Sequence, residues 1–332
     1  MRTEPPHVVI IGAGMAGLTA ARELRTGLAE VRVTVLDKGR GVGGRMATRR
    51  IGEATIDHGA QFITTHSPEF AATVEAWAAA GVVEQWFDAQ IGPFGTASSD
   101  GHPRYRGSVS MNAVAKHLAI GLDVVTSSRV AALAVQGDQW LVTMAEGAPI
   151  VADAVVTTAP VPQGLEVLGS GSTVLAPADA RALEAIRYEP CLAALVPLDG
   201  PSGLPEPGAI APNGGPIAWI ADNQRKGISA RPAVTIHPTG DFSRQRWDAP
   251  DQVVIDELLA AAGLQAGAEQ GEAQVQRWRY SRPTRLHAEP TLVASGVPPL
   301  VFAGDAFGGA KVEGAARSGA AAADALMRLL AG

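Results

Sequence analysis

The chain of 332 residues has a single cysteine, Cys191, so it can form no disulfide within itself, and a reducing cytoplasm is the expected compartment. It has no basic excess. The net charge of −6 disfavours a nucleic-acid or acidic-membrane partner. It also lacks a long apolar run of membrane-spanning type. Residues 319–330 are alanine-rich but enclose Asp324 and Arg328, which reads as a buried helix. Residues 1–7 lack the charged and apolar regions of a signal peptide. Aromatic residues are scarce, at 5%. No nucleophile–histidine–acid pattern, paired carboxylates or metal-ligand spacing stands out, so no metal centre is expected.

What the chain does have is apolar content of 46% and enough length for two structural units. Val8-Val9-Ile10-Ile11 is a continuous apolar strand, the pattern of a parallel strand buried on both faces. A turn, Gly12-Ala13-Gly14-Met15-Ala16-Gly17, follows it and opens a helix. Gly12 allows the tight turn, Gly14 admits close approach of a pyrophosphate, and Gly17 lets helix and strand pack closely. The helix start offers Met15, Ala16 and Gly17 N–H groups to phosphate. A second strand ends at Asp37, about 20 residues on, where a carboxylate accepts ribose hydroxyls and repels a 2′-phosphate.

Asp37-Lys38-Gly39-Arg40-Gly41-Val42-Gly43-Gly44-Arg45-Met46 then adds a second clamp. Gly44 permits close backbone approach and Arg45 offers a guanidinium fork to pyrophosphate. A dinucleotide held by one glycine turn has no need of it. The plain alternative is an exposed turn with a solvated arginine. Later strands are expected at residues 129–135 and 140–144, joined by a Gly137-Asp138 hairpin, and at 154–158, 192–198, 217–220, 233–237 and 299–303. Residues 200–215 read as loop, and residues 250–262 and 313–330 as helices.

These motifs resemble the FAD family that contains monoamine oxidases, polyamine oxidases and phytoene-desaturase-like enzymes. The resemblance continues at Asp57-His58-Gly59-Ala60-Gln61-Phe62, at residues 155–162, and at Ala303-Gly304-Asp305-Ala306-Phe307. Within that group the chain is most similar to the renalase family, through Gly43-Gly44-Arg45-Met46, Gly59-Ala60-Gln61-Phe62-Ile63-Thr64, Asp222-Asn223-Gln224-Arg225-Lys226 and Trp278-Arg279-Tyr280-Ser281. The blocks run in order along essentially the whole chain.

The resemblance implies an α/β fold: a Rossmann-like FAD-binding domain with an inserted mixed α+β substrate domain, the p-hydroxybenzoate hydroxylase-like architecture. The expected FAD-binding domain takes residues 1–66, 105–160 and 286–332; the substrate domain takes 67–104 and 161–285. FAD contacts are expected from Gly12, Gly14, Met15, Ala16, Gly17, Asp37, Lys38, Gly44, Arg45, Met46, Gly59, Ala60 and Gln61. Val130 is expected to contact adenine through its backbone, and Gly304 and Asp305 to hold the ribityl–pyrophosphate part. Val312, Glu313 and Gly314, which open the last helix, are expected to meet the pyrimidine edge of the ring.

The flavin is expected to be non-covalent, because Cys191 lies far from the C-terminal flavin segment. Two departures separate the chain from amine oxidases: no aromatic pair follows Phe302, which is accompanied only by Phe307, and the strand at 191–198 has no lysine. The renalase resemblance implies hydride transfer to FAD from NAD(P)H isomers reduced at the 2- or 6-position, with oxygen reduced to hydrogen peroxide. A diffusible dinucleotide and oxygen are therefore the expected small-molecule partners. Such a donor needs alignment more than a base, and Gln61, Asn223, Lys226 and Tyr280 are the expected orienting residues. Arg279, Arg282 and Arg285 offer further cations, or a solvated basic loop; His58, His66 and His237 read as structural. Competing readings are an amine oxidase or desaturase, and a flavin-binding protein without turnover.

Overall fold

The computed structural model describes residues 4–95, 97–265 and 273–331. The expectation for residues 1–7 falls partly on 1–3, outside the described residues. Among the described residues no helix is long and apolar enough to cross a membrane. The chain divides into two compact units: 1–44, 115–187 and 283–332 form the first, and 45–114 and 188–282 the second.

The first unit is built on a six-stranded sheet. Its spatial order is Leu292–Val293, Leu300–Phe302, Ala154–Thr157, His7–Ile11, Arg32–Leu36 and Asp123–Val125. All neighbouring pairs are parallel except the first, which is antiparallel. Val8, Val9, Ile10, Val155, Val156, Val301 and Phe302 are fully buried, as continuous apolar strands covered on both faces must be. Helices Met15–Gly27 and Val312–Ala331 pack on one another at very short range. Small residues permit it: a β-carbon on Gly319 would overlap the Ala16 carbonyl, and one on Gly27 would overlap the Met327 sulfur.

Beside this sheet lies an antiparallel one of Val130–Gln136, Gln139–Met144 and Ile150–Ala152. Gly137 makes the expected hairpin turn at φ +66°. Two helices missing from the sequence reading, Val161–Ser170 and Pro177–Glu184, follow the Ala154–Thr157 strand. The segment between them is fixed to the antiparallel sheet, since Thr173 Oγ1 donates to the Leu133 carbonyl at 2.7 Å.

The second unit carries a five-stranded sheet in the order Ala209–Ile210, Ile217–Asp222, Ala233–Pro238, Arg187–Pro197 and Gln274–Arg285. Helix Asp251–Ala262 buries Val254, Ile255, Leu258 and Leu259 in one core with Leu192, Val196, Ile220, Val234 and Ile236. A hairpin, Thr48–Ile51 with Ala54–Asp57, packs Ile51, Ala54 and Ile56 on Leu195 and Ala233 of the sheet. The ribbon Val83–Ile91 with Ala97–Gly107 and helix Pro68–Ala79 complete the unit; Ser67 Oγ accepts the Phe70 N–H to cap that helix.

Two expectations are revised by this packing. Residues 45–66 and 105–114 fall with the second unit, because the hairpin buries its apolar side there, and residues 161–187 and 283–285 fall with the first. The basic segment at 277–285 is a sheet-edge strand and not a loop, with Arg277 paired to Asp251 and Arg282 to Glu189.

Candidate flavin and donor site

In the first unit the glycine turn has the geometry its spacing implies. Gly12 has φ +110°, and a β-carbon on it would come within 2.5 Å of Thr158 Oγ1. A β-carbon on Gly17 would overlap the Gly12 carbonyl. Gly14, the residue before the helix, has no side chain to cap it and nothing within 4 Å of where a β-carbon would stand. The helix therefore begins without a side-chain cap, and the partial positive charge of its first-turn N–H groups suits a phosphate.

Asp37 closes the same end. One carboxylate oxygen accepts the Ala13 N–H at 2.7 Å and the other accepts the Gly39 N–H at 2.7 Å. A carboxylate has about four acceptor sites, so lone pairs remain for ribose hydroxyls. The Asp37 carbonyl accepts the Ser128 N–H at 2.7 Å, which draws the segment leading to buried Val130 towards the acid. Lys38 is exposed and donates to Gln163 Oε1 at 3.1 Å. The second glycine pair packs directly on the first turn: the Gly43 N–H donates to the Ala13 carbonyl at 2.9 Å, and a Gly44 β-carbon would lie 3.4 Å from Gly14 Cα.

Gly304 follows the Leu300–Phe302 strand at φ +135°, and its N–H donates to Ser318 Oγ of the last helix at 2.8 Å. Asp305 then begins a short helix, Asp305–Gly308. A β-carbon on Gly314 would overlap the Gly309 carbonyl, so the start of the last helix, Val312 with buried Glu313 and Gly314, lies against the glycine-rich turn after Asp305. These features fit a dinucleotide: a helix start without a side-chain cap, an acid with spare acceptor capacity, and glycines at each close backbone approach.

In the second unit the segments 45–47 and 58–61 are paired through backbone. The Ala60 N–H donates to the Arg45 carbonyl at 2.8 Å and the His58 N–H to the Ala47 carbonyl at 3.1 Å. Arg45 also donates from Nη1 to the Ser281 carbonyl at 3.2 Å, while Met46 is buried. Asp57, at the end of the hairpin, is the hub of this region and was missed as a site residue. Its Oδ1 accepts from Thr48 Oγ1 at 2.5 Å and from the Met111 N–H at 3.0 Å. Its Oδ2 accepts from Lys226 Nζ at 2.8 Å. Both side chains of that ion pair are fully buried.

Gln61 Nε2 donates to the carbonyls of Asp57 (2.8 Å) and Gly59 (3.1 Å), which turns its Oε1 to Lys226 Nζ at 3.4 Å. Asn223 is fully buried, accepts the Asp57 N–H at 3.2 Å and donates to Thr235 Oγ1 at 3.0 Å. Burial drives the Lys226 pKa down from its ordinary value, and the Asp57 charge opposes the shift. Tyr280 is half-buried on the edge strand, edge-on to Tyr188 at 5.5 Å. His58 stacks on Trp278 at 5.4 Å, and its carbonyl accepts from Trp278 Nε1 and His237 Nε2. Phe62, Phe87, Trp86 and Trp219 form an aromatic cluster beside Gln61, with buried Arg104 over two of its rings.

Residues 10–77 match the NAD(P)-binding Rossmann-like domain, and residues 87–327 match the flavin-containing amine oxidoreductase family. The chain belongs to that family and is an FAD-dependent oxidoreductase. Its sequence is 24% identical to renalase of Mus musculus over 318 residues, covering 87% of this chain and 92% of that protein. Two solved structures share the fold. One, from Exiguobacterium sp. 255-15 and assigned as a protoporphyrinogen oxidase, superposes with a TM-score of 0.74 at 13% identity and covers 100% of both chains. The other, putrescine oxidase bound to putrescine, gives 0.65 at 14% identity over 97% of this chain and 99% of that one.

Proposed function

We propose that this protein oxidises 2- or 6-dihydro isomers of NAD(P)H to NAD(P)+. Bound FAD would supply a two-electron acceptor for the donor's hydride; oxygen would take up that electron pair and proton, with a second proton from solvent, as hydrogen peroxide. The observation that carries the reading is the ordered likeness to renalase along 87% of the chain. The strand Arg187–Pro197 supports it, since it contains no lysine of the kind expected beside an amine oxidase flavin.

Gly12, Gly14, Met15, Ala16 and Gly17 hold the pyrophosphate, with Gly44, while Asp37 accepts the ribose hydroxyls and Val130 borders adenine. Lys38 stands at the rim of this end. Gly304 and Asp305 take the ribityl–pyrophosphate part. Val312, Glu313 and Gly314 aim a helix start at the pyrimidine edge, where reduction places negative charge. Arg45, Met46, Gly59, Ala60 and Gln61 carry the same proposal as flavin contacts. The flavin is held without a covalent bond: Cys191 is the one cysteine, and burial pushes its thiol pKa up to about 12.

Hydride loss from a dihydropyridine restores an aromatic ring and removes no N–H proton, so the protein has to align the donor. Gln61 and Tyr280 orient it, and Asn223 and Lys226 support that orientation from the interior. Anaerobic titration of the purified holoenzyme tests the reaction. Bleaching of the flavin by the 2- or 6-dihydro isomers, much faster than by 4-dihydro NADH, is expected. Equal rates would overturn the reading, and bleaching by amines instead would place the protein among amine oxidases.

A further inference from the structure

We infer that Asp57 and Lys226 form a positioning pair for Gln61, and that Lys226 acts on a ligand through Gln61 without touching it. The sequence leaves Lys226 as a cation free to meet a dinucleotide. Its surroundings leave no such freedom. The side chain is fully buried, and its ammonium meets the Asp57 carboxylate at 2.8 Å, Gln61 Oε1 at 3.4 Å and the face of the Trp86 ring at 5.2 Å. An ammonium has three donors, and each has a partner here. The Trp86 indole is itself pinned, donating to the Pro207 carbonyl at 3.0 Å.

The base of the lysine is equally fixed. Asp222 receives the Gln224 and Arg225 N–H groups at 2.8 and 2.9 Å and Ser202 Oγ at 2.5 Å, and its carbonyl accepts the Lys226 N–H at 2.9 Å. Lys226 thus rises from a locked turn into a closed set of partners. What the pair determines is the direction of the Gln61 amide. Nε2 is spent on the carbonyls of Asp57 and Gly59, and Oε1 is held by Lys226. Both ends of the amide are therefore set by the segment Asp57 begins and by the cation Asp57 neutralises.

A buried ion pair behaves distinctively under substitution. Removing one partner strands the other charge, whereas replacing both with neutral groups of similar shape costs little. A cation that binds substrate behaves otherwise, since its loss weakens binding whatever stands at Asp57. That Gln61 meets flavin or donor rests on the function proposed above; the mutual dependence of Asp57 and Lys226 does not.

The test is a double-substitution cycle on the full-length holoenzyme with Asp57→Asn, Lys226→Met and the two combined. Melting temperature, the visible flavin spectrum, kcat and KM are read for each. Each single change is expected to lower the melting temperature by on the order of 10 °C. Each is also expected to alter the flavin spectrum and to lower kcat by about tenfold or more while KM stays within about threefold. The combined variant is expected to melt within about 5 °C of the parent. Where a single variant does not fold, the combined one decides: recovery supports the pair, and a combined variant no more stable than the worse single overturns it. A Lys226→Met protein that melts like the parent and raises KM tenfold also overturns it. If no dihydronicotinamide isomer bleaches the flavin, the proposed reaction fails while the melting cycle still reads the pair.

Discussion

The carbonyl oxygen of Arg45 occupies the space that a β-carbon on Gly59 would need, and it accepts the N–H of the next residue, Ala60, at 2.8 Å. Two motifs separated in sequence are thereby held edge to edge by backbone alone. Gly59→Ala is expected to force them apart, lowering the melting temperature by several degrees and the flavin content of the purified protein by more than half. Gly41→Ala is the control, since nothing stands within 4 Å of its β-carbon position and its backbone needs no positive φ. Equal flavin content in the two variants would show that the Arg45–Gly59 approach is dispensable for cofactor binding.

Asp37 holds the first turn together through Ala13 and Gly39 while keeping acceptor capacity for ribose. Asp37→Asn preserves the size but replaces one acceptor oxygen with a donor and removes the charge. FAD affinity is expected to fall by about 10- to 100-fold, the loss of one or two charge-assisted hydrogen bonds. Titration of flavin fluorescence into apoprotein measures it. An unchanged dissociation constant would move the ribose contact elsewhere.

The first βαβ segment was legible because its signals are local. Apolar strand, glycine turn and terminal acid lie within one stretch of chain, and each glycine answers a backbone need visible in the structure at Gly12 and Gly17. The strand Gln274–Arg285 was illegible for the opposite reason. It lies at the edge of its sheet and is mostly half-buried or exposed, so its polar residues resemble a loop. The short strand Ala209–Ile210 was hidden similarly, inside a stretch whose glycines and prolines suggested loop alone. The site was half visible. Lys226 and Gln61 stood out by residue type, but the ion pair that fixes Lys226 reaches across 169 residues to Asp57. No periodicity or spacing encodes a contact of that span. Asp57 itself sits in a quoted motif and has no local mark of its role. Only packing makes it a hub.

Cys191 is buried on the strand Arg187–Pro197, and burial raises its thiol pKa to about 12. A thiol so protonated is a poor nucleophile, so Cys191 is not a ready attachment point for flavin. Acid precipitation is expected to release all the yellow colour to the supernatant, and the native protein is expected to resist thiol reagents. Colour that stays with the pellet would contradict non-covalent binding.

His58 and His237 make the structure sensitive to mild acid. Burial, reinforced by the charge of Arg49 and by His237, lowers the His58 pKa from 6.5 to about 4, against an opposing pull from Asp57. Burial likewise lowers His237 to about 4, helped by Lys226 and opposed by its bond to the His58 carbonyl. The unfolded chain takes up protons at both sites below about pH 6.5. The folded chain does so only near pH 4, so the unfolded state binds more protons in between. Their contribution to stability is therefore complete above pH 6.5 and is lost as pH falls through 4, at up to about 1.4 kcal/mol per pH unit for each ring. Melting temperature is expected to decline across that window and to level with respect to these groups below it. His58→Phe keeps an aromatic ring against Trp278 and removes one titration. Its melting curve against pH is expected to be shallower than the parent's, and an identical slope would show that His58 is not held neutral in the folded protein.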